Sequence, residues 1–470
     1  MRITSQSLMR SLFAGMMFAA VALLSIFPAQ VQAQSQGNNA VYDSTGTTIT
    51  YSWAFVDASV FSGTGVDFCG QIYSALGAIP ASAPGGVIDA RGVQISGGNS
   101  CTNAGITDTP WQQGSTLHTK PSVILLPAGT ITIGYSWRIP DRTRIIGEGA
   151  ASTVLKAGSG LGTGSMVRLG DSDLCSPICF GIGVENLALD GSSSGVSGIS
   201  NQNSQERTYV DRVNLTGISG TGLYVGTTGE GQNSGPYSNI AFSSSGSSAI
   251  CAQILGSGPT RGIHNLSCTD TNGTLPGVAI YLDAHGNSIE NVSVGGFKNG
   301  IVLGSDTSSC GSTPCRAKGN VLVNIAGNSS ISGMSNVVHI CGSVSATVCP
   351  NRPSDPTVTD LTVLGVTKNG ATNAIDDDNI PVPSPGTATK ITDATVAIYA
   401  VGDDSIAGST AFTRFTTASG STSVPTWLLG NSAVLVGSSC QPGTIYTNRS
   451  SSGIGTTLYA CTSSGWAAVR

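Results

Sequence analysis

The strongest candidate for acid–base chemistry in this sequence is a carboxylate and an imidazole two residues apart, in the segment Asp283-Ala284-His285-Gly286. Residues at positions i and i+2 of an extended strand point to the same side, so Asp283 and His285 could act as a pair. The alternative is a turn, because His-Gly-Asn suits a turn and aspartate often caps one. Asp283 and His285 are therefore candidate catalytic residues, with a purely structural turn as the competing interpretation.

Aromatic and amide side chains suited to sugar binding occur at Tyr224, Gln253 and Tyr281. Aromatic rings stack on the C–H faces of sugars, while amides and carboxylates form hydrogen bonds with the hydroxyl groups. The competing interpretation is a solvated sheet face with incidental polar residues. These three side chains form one surface only if the fold repeats with a period that brings them together.

Such a period is present, because one short pattern returns between Val184 and Val363. Its first copy is Val184-Glu185-Asn186-Leu187-Ala188-Leu189, and the copies begin at residues 184, 210, 237, 263, 289, 322 and 358. A fixed period of about 26 residues is typical of stacked units that bury their apolar faces only against their neighbours.

A second short apolar run follows each copy, and the joints between the runs are rich in Gly, Ser, Thr and Asn. None of the segments between the runs has the 3.6-residue periodicity of an α-helix, so short strands separated by tight turns are predicted. Stacked coils of parallel strands form a parallel β-helix. The polar third position is expected to form a hydrogen-bonded ladder at a turn, broken once by Arg212, with the members Asn186, Asn239, Asn265, Asn291, Asn324 and Asp360.

The alternation of strand residues predicts which side chains face inward. One buried column is expected to contain Leu187, Val213, Ile240, Leu266, Val292, Ile325 and Leu361. One outward column of the second strand is expected to contain Ser200, Tyr224, Cys251, Tyr281, Val302, His339 and Asp376. The next outward column is expected to contain Gln202, Gly226, Gln253, Asp283, Gly304, Cys341 and Asp378. A ligand is therefore expected around Tyr224, Gln253, Tyr281 and Asp283, with His285 at the edge.

The chain resembles the pectin-lyase-like superfamily of right-handed parallel β-helices, in particular its pectate-lyase and tailspike-like branch. Beside the repeat, Val66-Asp67-Phe68 with Ile72 and Leu76 resembles the helix that plugs the N-terminal end of such solenoids. The segments 125–130 and 145–149 resemble the first coils. The expected fold is all-β: a right-handed single-stranded parallel β-helix with an N-terminal cap helix and a small C-terminal β module. These motifs identify a fold and leave the chemistry open.

The resemblance implies lyase or hydrolase chemistry on a polysaccharide. The hydrolase series of the superfamily is matched only at Ala284-His285-Gly286, and the acidic run at 376–378 follows that histidine instead of preceding it. β-Elimination needs carboxylates that hold a cation and a base that removes the C5 proton of a uronate, which makes Glu206, Asp211 and Arg212 candidates. Calcium is the possible cofactor of a lyase and needs several oxygen ligands. The competing interpretation is a surface ion-pair cluster that contributes little energy.

The cysteines of an exported chain indicate disulfides, and local spacing suggests five pairs. These are Cys69–Cys101, Cys175–Cys179, Cys310–Cys315, Cys341–Cys349 and Cys440–Cys461. Cys251 and Cys268 are left over, because the repeat points Cys268 inward and Cys251 outward. Free thiols and a local failure of this alternation are both open. No histidine accompanies the close pairs, so no metal site is predicted there.

The domain organisation follows from composition. Arg2 and Arg10 precede an apolar run that ends at Phe27, and small residues follow, which predicts a signal peptide at 1–33. A membrane span is the alternative, but the run is short for one. An extended lead-in is expected at 34–60, the β-helix at 61–380, a Pro-rich linker at 381–386, an extra β segment at 387–424 and a small disulfide-closed β module at 425–470.

A formal net charge of −5, with only 10% charged residues, argues against nucleic acid as a partner. The favoured function is a secreted or cell-surface β-helix that binds and cleaves an acidic polysaccharide, with no membrane span in the mature chain. The alternative is a non-catalytic surface or adhesive protein. Whether the chain is a monomer or a trimer, as tailspikes are, is left open.

Overall fold

The computed structural model describes residues 53–377 apart from gaps, the longest of which span 102–108, 227–232 and 342–357, together with isolated strands on either side. The chain divides into two compact units, Met1–Trp53 and Ala54–Arg470. In the first unit, Ala40–Tyr42 pairs antiparallel with Thr48–Thr50. The predicted signal peptide lies outside the described residues.

The second unit is a right-handed parallel β-helix built from two long sheets. The parallel strands of the first sheet are Ala54–Asp57, Gly86–Asp89, Asn99–Cys101, Ser122–Leu125, Gly129–Ile133, Thr143–Ile146, Thr153–Ala157, Gly183–Asp190, Tyr209–Thr216, Tyr237–Ser244, Ile263–Asp270, Ser288–Gly295, Val321–Gly327 and Leu361–Thr367. Those of the second sheet are Trp137–Ile139, Ser165–Leu169, Ser197–Asn201, Thr221–Val225, Ile250–Gly256, Val278–Ala284, Asn299–Leu303, Asn336–Ile340 and Asn373–Asp377. The predicted fold class is confirmed.

Both sheets end in antiparallel strands. Thr395–Val401, Phe412–Thr416 and Thr426–Trp427 extend the first sheet, and Thr389–Ile391 extends the second. These strands fall mostly within the segment expected at 387–424. The small remaining elements are the 3-10 helices Ala58–Phe61 and Ser159–Leu161, and the strands Gln112–Gln113, Thr116–Leu117, Ser309–Cys310, Thr313–Pro314, Ala317–Lys318, Val358–Thr359, Ile445–Asn448, Thr457–Thr462 and Gly465–Val469. The last three strands pair antiparallel as one sheet in the region of the expected C-terminal module.

The predicted cap helix is present as Phe68–Gly77. Asp67 caps its N-terminus, because the carboxylate accepts a hydrogen bond from the backbone N–H of Gly70 at 2.8 Å. The helix buries Phe68 and Ile72 completely against the start of the solenoid. No helix among the described residues is both long enough and apolar enough to cross a membrane.

The predicted buried column is present in the first sheet, with one correction at its end. Leu187, Val213, Ile240, Leu266, Val292 and Ile325 are register partners on successive strands, and none is more than 2% exposed. Leu361 is buried but is not the next member, because strand pairing sets Val366 beside Ile325. The sequence at 358–363 resembles the motif but does not occupy its place in the coil. Gly365, with a φ of 76°, occupies the turn position that Asn324 holds one coil earlier. The predicted Asp360 lies outside the described residues.

The ladder at the third position exists as a row of exposed amides in the left-handed conformation, with φ between 54° and 56°. Each later amide donates from Nδ2 to Oδ1 of the member one coil earlier, at 3.0–3.1 Å, in the pairs Asn265 to Asn239, Asn291 to Asn265 and Asn324 to Asn291. Arg212 interrupts the amides but keeps the conformation, with a φ of 52°, and its Nε donates to Asn186 Oδ1 at 2.6 Å. Asparagine is suited to this turn because it tolerates positive φ.

The ladder predicts a graded response to substitution at Asn265. We expect Asn265→Ala to lower the free energy of unfolding by about 1–2 kcal/mol. The alanine cannot form the two side-chain hydrogen bonds of the ladder, and a positive φ is strained for it. Asn265→Gly should cost less, since glycine adopts positive φ freely. Denaturant unfolding of the two variants measures the difference, and equal losses would show that backbone strain plays no part.

Three disulfides are seen among the described residues: Cys69–Cys101, Cys175–Cys179 and Cys251–Cys268. The first two are predicted pairs. Cys341 is also disulfide-bonded, but its partner lies outside the described residues, as do the side chains of the predicted pairs Cys310–Cys315 and Cys440–Cys461.

The expectation that Cys251 points outward is wrong, since both Cys251 and Cys268 are fully buried. Pairing of Leu223 with Ala252 places Cys251 beside Gly222, near the start of the strand. A Cβ on Gly222 would come within 2.4 Å of the buried Phe242 ring, so this position faces the interior. Strand alternation fails there because the chain is entering the strand from a turn.

Candidate functional site

The outward face of the second sheet carries a continuous row of polar and aromatic side chains. Strand pairing makes each member the neighbour of the next, and the row consists of Arg138, Arg168, Ser200, Tyr224, Gln253 and Tyr281. We call these residues the second-sheet ribbon. Neighbouring members are separated by roughly 4.8 Å, the spacing of paired strands.

The predicted substrate-binding residues are brought together more closely than expected. The predicted columns placed Cys251 between Tyr224 and Tyr281, but the observed register places Gln253 there. The prediction was two residues out of register at this coil. Tyr224, Gln253 and Tyr281 therefore occupy three successive strands, and all three are partly exposed.

A cleft of about 350 Å³ opens at the Arg168 end of the ribbon. It is lined by Ser136, Gly164, Ser165, Arg168, Ser197, Ser200, Gln202, Thr221 and Tyr224. Among these lining residues, Arg168 alone carries a formal charge. The cleft thus offers one cation, several hydroxyl groups, an amide and one aromatic ring, which are the groups needed to bind a polar, anionic molecule.

Arg138 and Arg168 lie side by side on neighbouring strands and share one carboxylate. Arg168 Nη1 lies 2.9 Å from Asp171 Oδ2, and Arg138 Nε lies 3.4 Å from the same oxygen. The Asp171 side chain is only 6% exposed, while the Arg168 side chain is 35% exposed. Asp173, which lies 3.5 Å from Arg138 Nη1, is largely in solvent. The buried carboxylate therefore restrains both guanidinium groups, and together with the exposed Asp173 it balances their formal charges.

The other end of the ribbon is closed. Tyr281 packs against Val278, Val302 and Cys341. Val302 and His339, the next two positions along the outward column, are 0% and 3% exposed. Burial, followed by the negative charge of the neighbouring carboxylate, raises the pKa of Tyr281. The part of the face that is open to a ligand therefore runs from the arginines to Tyr281, and within it Ser200 is only 7% exposed.

The predicted catalytic pair is not exposed to a ligand in this structure. Asp283 is completely buried, so it does not reach the surface that Tyr224 and Gln253 form. His285 is half-buried at the end of the strand, where it forms a β-bridge with Lys318 and where Gly286 adopts a φ of 67°. This geometry fits the turn interpretation. Strand alternation predicts that Asp283 faces the same side as Tyr281, and in the structure its side chain is completely buried.

The second predicted group lies on the first sheet and forms a network of ion pairs. Arg212 Nη1 lies 2.7 Å from Asp211 Oδ2, and Arg212 Nη2 lies 3.6 Å from Glu185 Oε2. Arg144 Nη2 lies 2.5 Å from Glu185 Oε1, and the hydroxyl of Tyr209 donates to the same oxygen at 2.6 Å. We call Arg144, Glu185, Tyr209, Asp211 and Arg212 the ion-pair cluster.

Glu206 lies in an exposed turn before this strand, where its backbone carbonyl accepts a hydrogen bond from Gly181 N–H at 2.9 Å. The carboxylate that approaches Arg212 in its place is Glu185, which sequence reasoning did not select. Its position was available from the repeat, because Glu185 and Asp211 occupy the same place in successive copies and are register partners. Arg144 comes from a strand before the repeats, and no sequence signal connected it to the cluster.

The chemistry of the ion-pair cluster does not favour a base or a calcium ion. Burial, followed by the hydrogen bond to Glu185, raises the pKa of Tyr209 to about 12, so the phenol is protonated at neutral pH. Asp211 Oδ1 already accepts hydrogen bonds from Ser238 and Asn239, at 2.8 and 2.7 Å. Calcium needs several free oxygen ligands, and here arginines and other donors already occupy both carboxylates. The cluster therefore does not fit the calcium site that a lyase would use.

No protein-family model and no curated protein matches this chain. Among solved structures, the chain is similar to ORF18 of Geobacillus virus E2, with 13% identity, 88% of this chain and 86% of that chain covered, and a TM-score of 0.31. It is also similar to the A-module of the Azotobacter vinelandii mannuronan C-5 epimerase AlgE4, with 13% identity, 54% and 88% coverage, and a TM-score of 0.20. The A-module of the mannuronan C-5 epimerase AlgE6 from the same organism is also similar, with 14% identity, 56% of this chain and 88% of that chain covered, and a TM-score of 0.22. With TM-scores below 0.5, these likenesses carry no argument about function.

Proposed function

We propose that this protein is an exported parallel β-helix that binds an acidic polysaccharide along the second-sheet ribbon. The observation that carries the proposal is the placement of Tyr224, Gln253 and Tyr281 on three successive strands, beside a cleft lined by Arg168. Membership of the pectin-lyase-like superfamily is part of the same proposal.

The ribbon has the groups that sugars require, at a regular spacing. Aromatic rings at Tyr224 and Tyr281 offer apolar faces, and Gln253 between them offers both donors and acceptors. Because these side chains project from paired strands of a regular solenoid, little conformational freedom is lost on binding. A strand spacing of roughly 4.8 Å is close to the length of one pyranose residue, so successive coils can contact successive sugars.

Export agrees with the disulfides, because bonds such as Cys69–Cys101 and Cys251–Cys268 persist in oxidising compartments. The basic and apolar N-terminal sequence is the expected signal peptide. Arg138 and Arg168 are the charged members of the ribbon, and two arginines are too few to neutralise the phosphate backbone of a nucleic acid.

Cleavage of the bound chain, by a lyase or a hydrolase, is the second candidate function. The observation in its favour is the ion-pair cluster, which places acids, arginines and a phenol within contact of one another. The geometry favours binding, since the phenol is protonated and the carboxylates are engaged. A protein that binds without cleavage would correspond to a surface or adhesive protein.

The test of the proposed function is a panel of acidic and neutral polysaccharides, measured with the purified mature protein. Calorimetry or affinity electrophoresis reports binding, absorbance at 235 nm reports unsaturated uronates, and reducing ends report hydrolysis. Binding to an acidic polysaccharide without either product supports the proposal. Absence of binding to every member of the panel contradicts it, and formation of a product moves the assignment to the second candidate.

The aromatic contact gives a prediction of its own. We expect Tyr224→Ala to weaken polysaccharide binding by roughly tenfold or more, because an aromatic contact at the centre of an interface contributes on this scale. The matched control is Phe55→Ala on the first sheet, where the ring is 62% exposed and away from the ribbon. Equal affinities for the two variants, measured by calorimetry, would exclude Tyr224 from the binding surface.

A further inference from the structure

We infer that the second-sheet ribbon is a short groove that anchors one anionic sugar at Arg168 and ends at Tyr281, so that it holds an oligosaccharide of about five residues. This inference rests on the proposed function. It goes further, since it assigns a charge requirement to one end of the ribbon and a length limit to the whole.

The charge along the ribbon is unequal. Arg138 and Arg168 occupy two neighbouring strands at one end, while the members from Ser200 to Tyr281 are uncharged. A uniformly charged chain would therefore find a cationic partner only at the arginine end. The other positions recognise hydroxyl groups and the apolar faces of the rings, which neutral and acidic sugars share.

Arg168 is held in place to receive a carboxylate. One of its nitrogens, Nη1, lies 2.9 Å from the buried carboxylate of Asp171, which restrains the side chain before a ligand arrives. The guanidinium has further N–H donors in a planar fork that matches a carboxylate. About a third of the side chain is exposed, in the cleft beside Ser200 and Tyr224. Asp171 also lies 3.4 Å from Arg138 Nε, and Arg138 has the exposed Asp173 as a second partner.

The length limit comes from the closed end. Four strand steps separate Arg168 from Tyr281, which corresponds to roughly 19 Å. Beyond Tyr281 the outward column continues as Val302 and His339, which are buried and offer no surface to a sugar. Pyranose residues placed one to a coil would fill the five coils from Arg168 to Tyr281 after about five units. Longer chains gain no further contacts in that direction.

The experiment compares acidic oligosaccharides of two to eight units with neutral ones of equal length, by calorimetry on the full mature chain. For the acidic series, we expect the affinity to rise up to about five units and then to remain constant. Raising the salt concentration should weaken binding of the acidic series and leave the neutral series unchanged, since a partly exposed ion pair is screened.

Arg168→Gln is expected to weaken binding of the acidic series at least tenfold and to leave the neutral series unaltered. Arg168→Lys keeps the charge beside Asp171 and should retain part of the affinity, and thermal unfolding of both variants verifies that the fold is intact. Arg91→Gln is the matched control, because Arg91 is exposed, is paired with Asp89 and lies away from the ribbon.

Two results would overturn the inference while the proposed function stands. One is an affinity that keeps rising up to eight units. The other is wild-type binding of the acidic series by Arg168→Gln while Tyr224→Ala still weakens it. Failure of every oligosaccharide and polysaccharide to bind would remove both the inference and the proposed function.

Discussion

Replacement of Leu266 by alanine is expected to lower the free energy of unfolding by about 2–5 kcal/mol. Leu266 is 2% exposed and lies between Ile240 and Val292 in the buried column of the first sheet. Neighbouring coils above and below prevent the strand from collapsing into the space that the leucine leaves. Denaturant unfolding, followed by circular dichroism, measures the loss.

Ser267→Ala is the control for this prediction, because Ser267 is the next residue on the same strand and points into solvent. We expect it to change stability by less than about 0.5 kcal/mol. A loss below about 1 kcal/mol for Leu266→Ala, or equal losses for the two variants, would show that the observed register of the column is wrong.

Removal of the Cys251–Cys268 disulfide is expected to cost about 3 kcal/mol. The bond joins a strand of the second sheet to a strand of the first and closes a sequence separation of 17 residues. In the loop-entropy model, a cross-link that closes a loop of this length raises the free energy of the unfolded state by about 3 kcal/mol. The double variant Cys251→Ala and Cys268→Ala, compared with wild type in denaturant, measures the effect.

The Cys175–Cys179 pair supplies a comparison within the same chain. Its separation is only 4 residues, so the same model gives about 2 kcal/mol for its removal by double alanine substitution. A larger loss at 175–179 than at 251–268 would contradict the loop-entropy explanation for this protein.

The fold was predictable from the sequence because the repeat encodes it directly. Each of the first six copies of the motif supplies an inward leucine, isoleucine or valine one residue after the ladder position, so Leu187 and Leu266 can be assigned to the core from the sequence alone. The ladder followed for the same reason, since Asn239, Asn265 and Asn291 recur at one place in the period.

The site was less predictable, because it depends on the register of the second strands and on which parts of the sheet surface are buried. The second strands lack a strict motif, so Gln253 was placed two residues away from its observed position between the tyrosines. Strand alternation predicts which side of a sheet a residue faces, but it does not predict what covers that side, and Asp283 is completely buried. The partnership of Arg144 with Glu185 joins residues from different parts of the chain, and no local pattern predicts it.

The most direct test of binding at the second-sheet ribbon is hydroxyl-radical footprinting of the protein with and without a bound acidic oligosaccharide. Tyr224 and Tyr209 serve as the two reporters, because one lies on the second-sheet ribbon and the other in the ion-pair cluster of the first sheet. Binding at the ribbon predicts that Tyr224 loses reactivity when the oligosaccharide is bound, while Tyr209 is unchanged. Protection of Tyr209 together with unchanged reactivity of Tyr224 would contradict it.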